Sequence, residues 1–533
     1  MTRAATHSRF GNRWLVLVAS ALGLFIVIID STIVNVSIPA IITGLHTDLA
    51  RVEWVVNAYT LVFAALLIPG GRLGDIYGRK LLFLIGLAIF GGASAACGAA
   101  PTGELLIIAR VTQAFGAAAM LPATLSLVQV NFPPAERGTA FGIWAAISGF
   151  AVGIGPALGG LLTQYSWRFI FYVNVPIAAA TFLFTLAVVP ESKDPGHHRV
   201  DWIGAFVWVL ALVALNYGLI QGPSAHWQGW IPWFFVSAAV LIVAFVLWER
   251  RTREPMMQLS LFRTSSFSLG NAAMAMLLLG VVGAFFLAPL LMQEGLGYGV
   301  LATGLALAPT AIVLMTVGPI AGRLSDRFQP RLFITTGLLI LSASLLWLTT
   351  ISVSDTPIAL VPRFTLMGLG AGLTISPLTN AVMSTVPRDY AGAASGMLST
   401  SQRVGAVLGV AILGAVFQVS LSSGLIAGLE RLPGLTPTIA MRVVAAEEAS
   451  RSGITGGERS LWRALSSAGV PADERARLEP RLRTLARTAF THAASLAFRV
   501  ESAIVFAAAM MSLFVRPARG PAAGESGGEP GGV

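Results

Sequence analysis

The sequence predicts an all-α integral membrane protein with fourteen transmembrane helices, and three observations carry that prediction. Only 11% of the 533 residues are charged, while 55% are apolar. A soluble fold carries roughly 25% charged residues, so too few polar side chains are present to cover a water-exposed surface of this size. Apolar stretches of about 20 residues, the length that crosses a bilayer core, recur along the chain. A block of motifs also appears twice, with an offset of about 250 residues.

In chain order the predicted spans are 14–39, 55–69, 81–99, 105–130, 139–163, 169–189, 202–220, 231–248, 267–292, 301–320, 332–350, 358–383, 391–419 and 500–515. The last is short, with Glu501 at its edge. The first follows Arg3, Arg9 and Arg13, as a signal peptide would, but its length, Asp30 and the lack of a small-residue cleavage site mark it as retained. Short loops on one side collect fourteen Lys and Arg, against Arg51 and Arg168 on the other. The positive-inside rule therefore puts both termini in the cytoplasm. The net charge of +10 is then mostly a topology signal and not a nucleic-acid surface. Segment 420–497 is long and polar and falls outside. Its Leu478, Leu482 and Leu485 fit either an amphipathic helix on the membrane surface or a solvated helical loop. Residues 517–533, rich in Gly, Pro and Glu, read as a disordered cytoplasmic tail.

The repeat sets the domain organisation. Gly71-Arg-Leu-Gly-Asp75, before Leu81, recurs as Gly322-Arg-Leu-Ser-Asp326, before Leu332. Arg110 and Gly116 match Arg363 and Gly370, and Pro133, Gly138, Ala140 and Gly142 match Pro387, Gly392, Ala394 and Gly396. The expected units are a six-helix bundle over 1–190, two inserted spans over 191–262, and a second six-helix bundle over 263–516 that includes the outer loop. Carriers that rock two halves about a midplane site show such repeats.

Several residues are candidates for chemistry. In the turn between spans 2 and 3, Gly71, Gly74 and Gly78 let helix ends approach closely. Asp75 there can pair with Arg79 or cap a helix N-terminus. With the second copy at Gly322 and Asp326, the expected role is a cytoplasmic latch between the halves. Asp30 lies deep in span 1, where an ionised carboxylate costs at least a few kcal/mol. It is a proton-carrying candidate, with a hydrogen-bonded structural Asp as the alternative. Arg110 is its basic counterpart, with Gln113 one turn further along the same face. Because Arg363 matches Arg110, coupling and helix packing both remain readings of that arginine. In span 5 the pairs Gly149 with Gly153 and Gly155 with Gly159, around Pro156, form a small-residue face for contact between the halves. Asn35, Gln113, Trp144 and Arg403 are candidate cavity residues, and other aromatics such as Trp54 and Tyr59 are either cavity or interfacial residues. No G-x-x-x-x-G-K-[ST] loop, metal-ligand cluster or catalytic constellation occurs, so neither a cofactor nor an enzyme is expected and an ion gradient is the simplest driving force. The single cysteine, Cys97, excludes an internal disulfide.

These motifs resemble the major facilitator superfamily, and more narrowly its fourteen-span drug:proton antiporters of the EmrB/QacA type, over nearly the whole chain. Gly71 to Lys80 resembles the superfamily's loop signature, Arg110 to Gly116 its span 4 motif, and Gly149 to Gly160 the span 5 motif of exporters. Asp30 to Pro39 and Trp167 to Pro176 resemble patterns of the fourteen-span group. The resemblance implies two six-helix bundles plus two inserted spans in a bacterial inner membrane. It also implies export of small amphipathic substrates in exchange for protons, with Asp30 and Arg110 in coupling. Spans 9 to 13 hold no acidic residue except Glu294, at the edge of span 9, which favours monovalent or neutral substrates over dications. A dedicated exporter of one endogenous antibiotic, lipid or siderophore, and a non-transporting membrane sensor, are the alternatives. The residues give no reading on a periplasmic adaptor.

Overall fold

The computed structural model describes residues 12–47, 49–193, 200–222, 228–252, 255–430 and 472–515. The tail over 517–533 and the middle of the outer loop lie outside them. Fourteen helices among the described residues are long and apolar enough to cross a membrane, and no strand occurs there. In chain order they are α1 (Arg13–Gly44), α2 (Leu49–Tyr77), α3 (Arg79–Ala99), α4 (Gly103–Asn131), α5 (Pro134–Tyr165), α6 (Asn174–Val188, led in by a short helix Phe169–Tyr172) and α7 (Trp202–Gln221). They continue as α8 (Ile231–Glu249), α9 (Ser265–Leu290), α10 (Val300–Ser325), α11 (Pro330–Leu348), α12 (Pro357–Met383), α13 (Ala391–Glu430) and α14 (Ala472–Ser512).

Local chemistry starts and stops these helices. Asn12 and Thr102 accept hydrogen bonds from Trp14 N and Leu105 N as N-caps. Proline occupies the first turn of α5, α8, α11 and α12, where its missing N–H costs nothing. The break between α2 and α3 is Gly78, at φ +123°, a conformation that a side chain would strain. After Pro289 the chain passes into a π-helical turn, Leu291–Gly295.

Packing divides the spans as the repeat requires. Helices α1 to α6 pack on one another, as do α9 to α14, while α7 and α8 pair together and α7 lies against α2 and α13. The halves meet through α5 on α10 and α12, and through α13 on α2 and α4. Asp201 ties the inserted pair, accepting from Gly204 N and from Trp248 Nε1.

Two sequence expectations change. The last span is not 500–515 but runs over Pro480–Ser512, which places Glu501 inside it and not at its edge. The leucine-spaced segment before it is neither a separate surface helix nor a solvated loop, because it continues into that span. Leu482 is buried, and Leu485 packs against Gly428 of α13. Helices α13 and α14, at 40 and 41 residues, each reach about 60 Å. That is about twice the thickness of a hydrocarbon core.

Candidate functional site

The N-terminal half encloses a polar cluster among apolar helices. Asp30, on α1, is fully buried, and Arg110, on α4, is 1% exposed. Arg110 Nη1 donates to Asp30 Oδ2 at 2.6 Å and to Gln113 Oε1 at 2.7 Å, and its Nε donates to the Val55 carbonyl. The other carboxylate oxygen, Asp30 Oδ1, accepts from Gln113 Nε2 at 2.9 Å and Asn174 Nδ2 at 2.8 Å. Ser94 Oγ accepts from both amides and donates to the Phe171 carbonyl. Above the guanidinium lies the Tyr59 ring, 4.0 Å from it. A buried ion pair is tolerated only when its remaining donors and acceptors are met, and here five helices, α1, α2, α3, α4 and α6, build the cluster that meets them.

A second site lies where α2 turns into α3. Residues from Gly71 to Tyr77 are the last two turns of α2 and not a loop; the only turn residue is Gly78. Asp75 pairs with Arg79 at 2.6 Å. Its two oxygens also accept from Gly392 N and Ala393 N, each at 2.8 Å, in the first turn of α13 in the other half. The capping expected within the motif's own turn thus reaches across the halves. Its counterpart does the same in reverse. Asp326, at the end of α10, accepts from Gly138 N at 2.8 Å and Thr139 N at 3.0 Å near the start of α5. Burial pushes half-buried Asp326 above its usual carboxylate range, opposed by the Thr139 and Gly138 hydrogen bonds. Glycine makes both approaches: a Cβ on Gly71 would meet the Gly392 carbonyl oxygen, and one on Gly322 the Gly138 carbonyl oxygen.

The span 5 glycines divide their work. Gly149 and Gly153 face Leu314 and Ala311 of α10 in the other half, as expected, whereas Gly155 and Gly159 face Thr32 and Ile33 of α1. The sequence reading missed a second copy of the latter pair. Gly405 and Gly409 of α13, offset by 250 residues, press on Ala275 and Leu279 of α9. Among the cavity candidates, Gln113 is fully buried in the Asp30 cluster, and Trp144 is buried with its Nε1 donating to Thr124. Arg403 reaches from α13 to the Phe63 ring of α2, 4.6 Å away, between the halves. The side chains of Asn35 and Pro156 lie outside the described residues. Asn174 and Ser94 were also missed, although Asn174 stands within the Trp167 to Pro176 pattern.

Two repeated six-helix halves, a buried acid–arginine pair and reciprocal carboxylate caps define a multi-pass membrane transporter. The sequence pattern of the Major Facilitator Superfamily matches residues 20–410, and the chain belongs to that family. It is 38% identical to the Multidrug resistance protein Stp of Mycobacterium tuberculosis over 78% of each chain. It is 32% identical to the Tetracenomycin C resistance and export protein of Streptomyces glaucescens, over 95% of this chain and 92% of that one. It is also 34% identical to the Methylenomycin A resistance protein of Bacillus subtilis, over 76% and 88%. Among solved structures the fold resembles the human organic anion transporter TETRAN, with a TM-score of 0.59 at 13% identity, over 94% and 99% of the two chains.

Proposed function

We propose that the chain is a proton-driven antiporter that exports amphipathic drugs or antibiotics across a bacterial plasma membrane by alternating access, with both termini cytoplasmic. The observation that carries this reading is the closed Asp30–Arg110 cluster. Protonating Asp30 cancels the charge that answers Arg110, and an uncompensated buried cation costs about 3–5 kcal/mol. That imbalance is large enough to drive rearrangement of α1 against α4, and so links proton uptake to conformation. Gly71, Asp75, Gly78 and Arg79, with Gly322 and Asp326, act as a cytoplasmic latch that is shut in this arrangement, whereas Gly74, expected among them, faces only Leu82 of its own half. Each latch carboxylate accepts from two amides at or near the start of a helix in the other half.

The reading is tested in everted vesicles with a fluorescent lipophilic cation. An imposed proton gradient should drive its uptake, and a protonophore should abolish it; uptake that ignores the gradient overturns the coupling. The names of the relatives support drug export. The near full-length match to the Tetracenomycin C resistance and export protein favours, as a second reading, export of one dedicated antibiotic. A panel of chemically unrelated cations and polyketides separates the two.

Asp326 gives a pH prediction. Its proton is held more tightly in the shut latch than in water. The shut state therefore binds more protons, and this contribution is fully present below the ordinary carboxylate value and lost as pH rises through the raised one. Spin labels on the facing ends of α5 and α10 should report more of the shut state on acidification, and Asp326→Asn should flatten that dependence.

A further inference from the structure

Glu501 is a buried acid that the Asp30 site does not use. It lies eleven residues from the end of α14 at Ser512, about 16 Å along the helix and close to the middle of a 30 Å core. Its side chain is fully buried, and no side chain among the described residues hydrogen-bonds or pairs with either carboxyl oxygen; the one polar group that approaches it is the Ala284 backbone N–H of α9. The carboxyl fills the space beside Gly283 of α9, where a Cβ would come within 2.6 Å of its oxygen, and Leu413 of α13 closes the same space. The repeat offset is 251 residues at the loop motif and 253 at Arg110, and these carry Asp30 onto Val281 and Gly283, within one turn of α9. In the C-terminal half, a carboxyl from α14 thus occupies the place matching that of Asp30.

The surroundings differ from those of Asp30. Arg363 pairs with Asp355 at 2.7 Å, at the head of α12, and does not answer Glu501. Helix α9 carries no ionisable residue. Helix α11 carries only Arg331, in its first turn. On α13 the ionisable residues are Arg403, ten residues from Leu413, and Glu430 at the far end. Glu294, in the π-helical turn, is eleven residues beyond Gly283. On α14 itself, Arg499 is exposed and His492 is nine residues away. An isolated ionised carboxylate in an apolar setting costs far more than a neutral one, so this place holds a carboxylic acid.

We propose that Glu501 is a second proton-binding site of the transporter, loaded in this conformation and emptied when α13 moves. The same helix that places Leu413 over Glu501 carries Gly392 and Ala393 of the latch. Opening the latch shifts that cover and admits water to the acid. The proposal rests on the antiport reading for its role in the cycle, but the protonation of Glu501 is measurable without transport.

Infrared difference spectroscopy of the full chain in lipid, titrated between about pH 5 and about pH 9, reads the carboxylic-acid C=O stretch directly. A titrating band should be present in the wild type and in Asp30→Asn, absent in Glu501→Gln, and shifted in Glu501→Asp. In proteoliposomes, the protons moved per ethidium should fall by roughly half in Glu501→Gln. Glu501→Asp keeps the test decisive if the Gln variant does not fold. A spectrum unchanged by either substitution overturns the proposal, as does an unaltered proton count. Failure of the wild type to move ethidium counts against the antiport reading, while the infrared titration still decides the site.

Discussion

Asp30→Asn should reduce gradient-driven movement of a lipophilic cation to the background of vesicles lacking the protein. The substitution keeps the shape of the side chain and removes both its charge and its titratable proton. Gln113 Nε2 and Asn174 Nδ2 can still donate to the remaining carbonyl oxygen, but Arg110, 1% exposed, loses the only acidic partner it has among the described residues. Breaking one side of a buried pair costs about 3–5 kcal/mol, so the melting temperature should fall as well. Asp30→Asn with Arg110→Gln removes both charges and should restore much of the stability without restoring gradient-driven transport. That contrast separates coupling from folding. Gradient-driven transport that survives in the single variant would move the proton site away from Asp30.

Gly71→Val and Gly322→Val should each lower transport by at least about tenfold while leaving the amount of folded protein near that of the wild type. At both places the new side chain points at a backbone carbonyl of the other half, which cannot turn aside as a side chain would. Overpacking of this kind costs about 1–3 kcal/mol, and 1.4 kcal/mol is tenfold in an equilibrium. The cost falls only on the state in which the halves touch, so it shifts the cycle and spares the fold. Gly74→Ala is the matched control. Its Cβ would meet only the Leu82 side chain, at 3.4 Å, and transport should stay near wild type. Equal losses in all three variants would show that the motif tolerates no change for reasons unrelated to the approach of the halves.

The fold was largely legible in the sequence because lipid imposes length and apolarity on every span, and the repeat exposes the two halves. The last span resisted that reading. Arg481, Arg483, Arg487 and His492 dilute its first turns, and their polarity masks a face where Leu482, Ala486, Ala489 and Phe490 are buried. With its start misplaced, Glu501 looked like an edge residue. At the coupling site Asp30, Arg110 and Gln113 stood out as polar residues in apolar runs, but Asn174 and Ser94 are too ordinary alone to signal a shared partner. Asp75 was legible as a cap, but its partner was not, because Gly392 lies 317 residues away and only tertiary structure brings it near.

Helix α13 has no internal proline over its 40 residues, and rigid rods transmit displacement. One end carries the amides that Asp75 holds, and the other packs Leu425 and Leu429 in the pair with α14. In the proposed orientation, that pair projects beyond the outer face as an external handle on an internal switch. A binding protein that clamps the projection from outside would arrest export without entering the cell or competing with the transported compound.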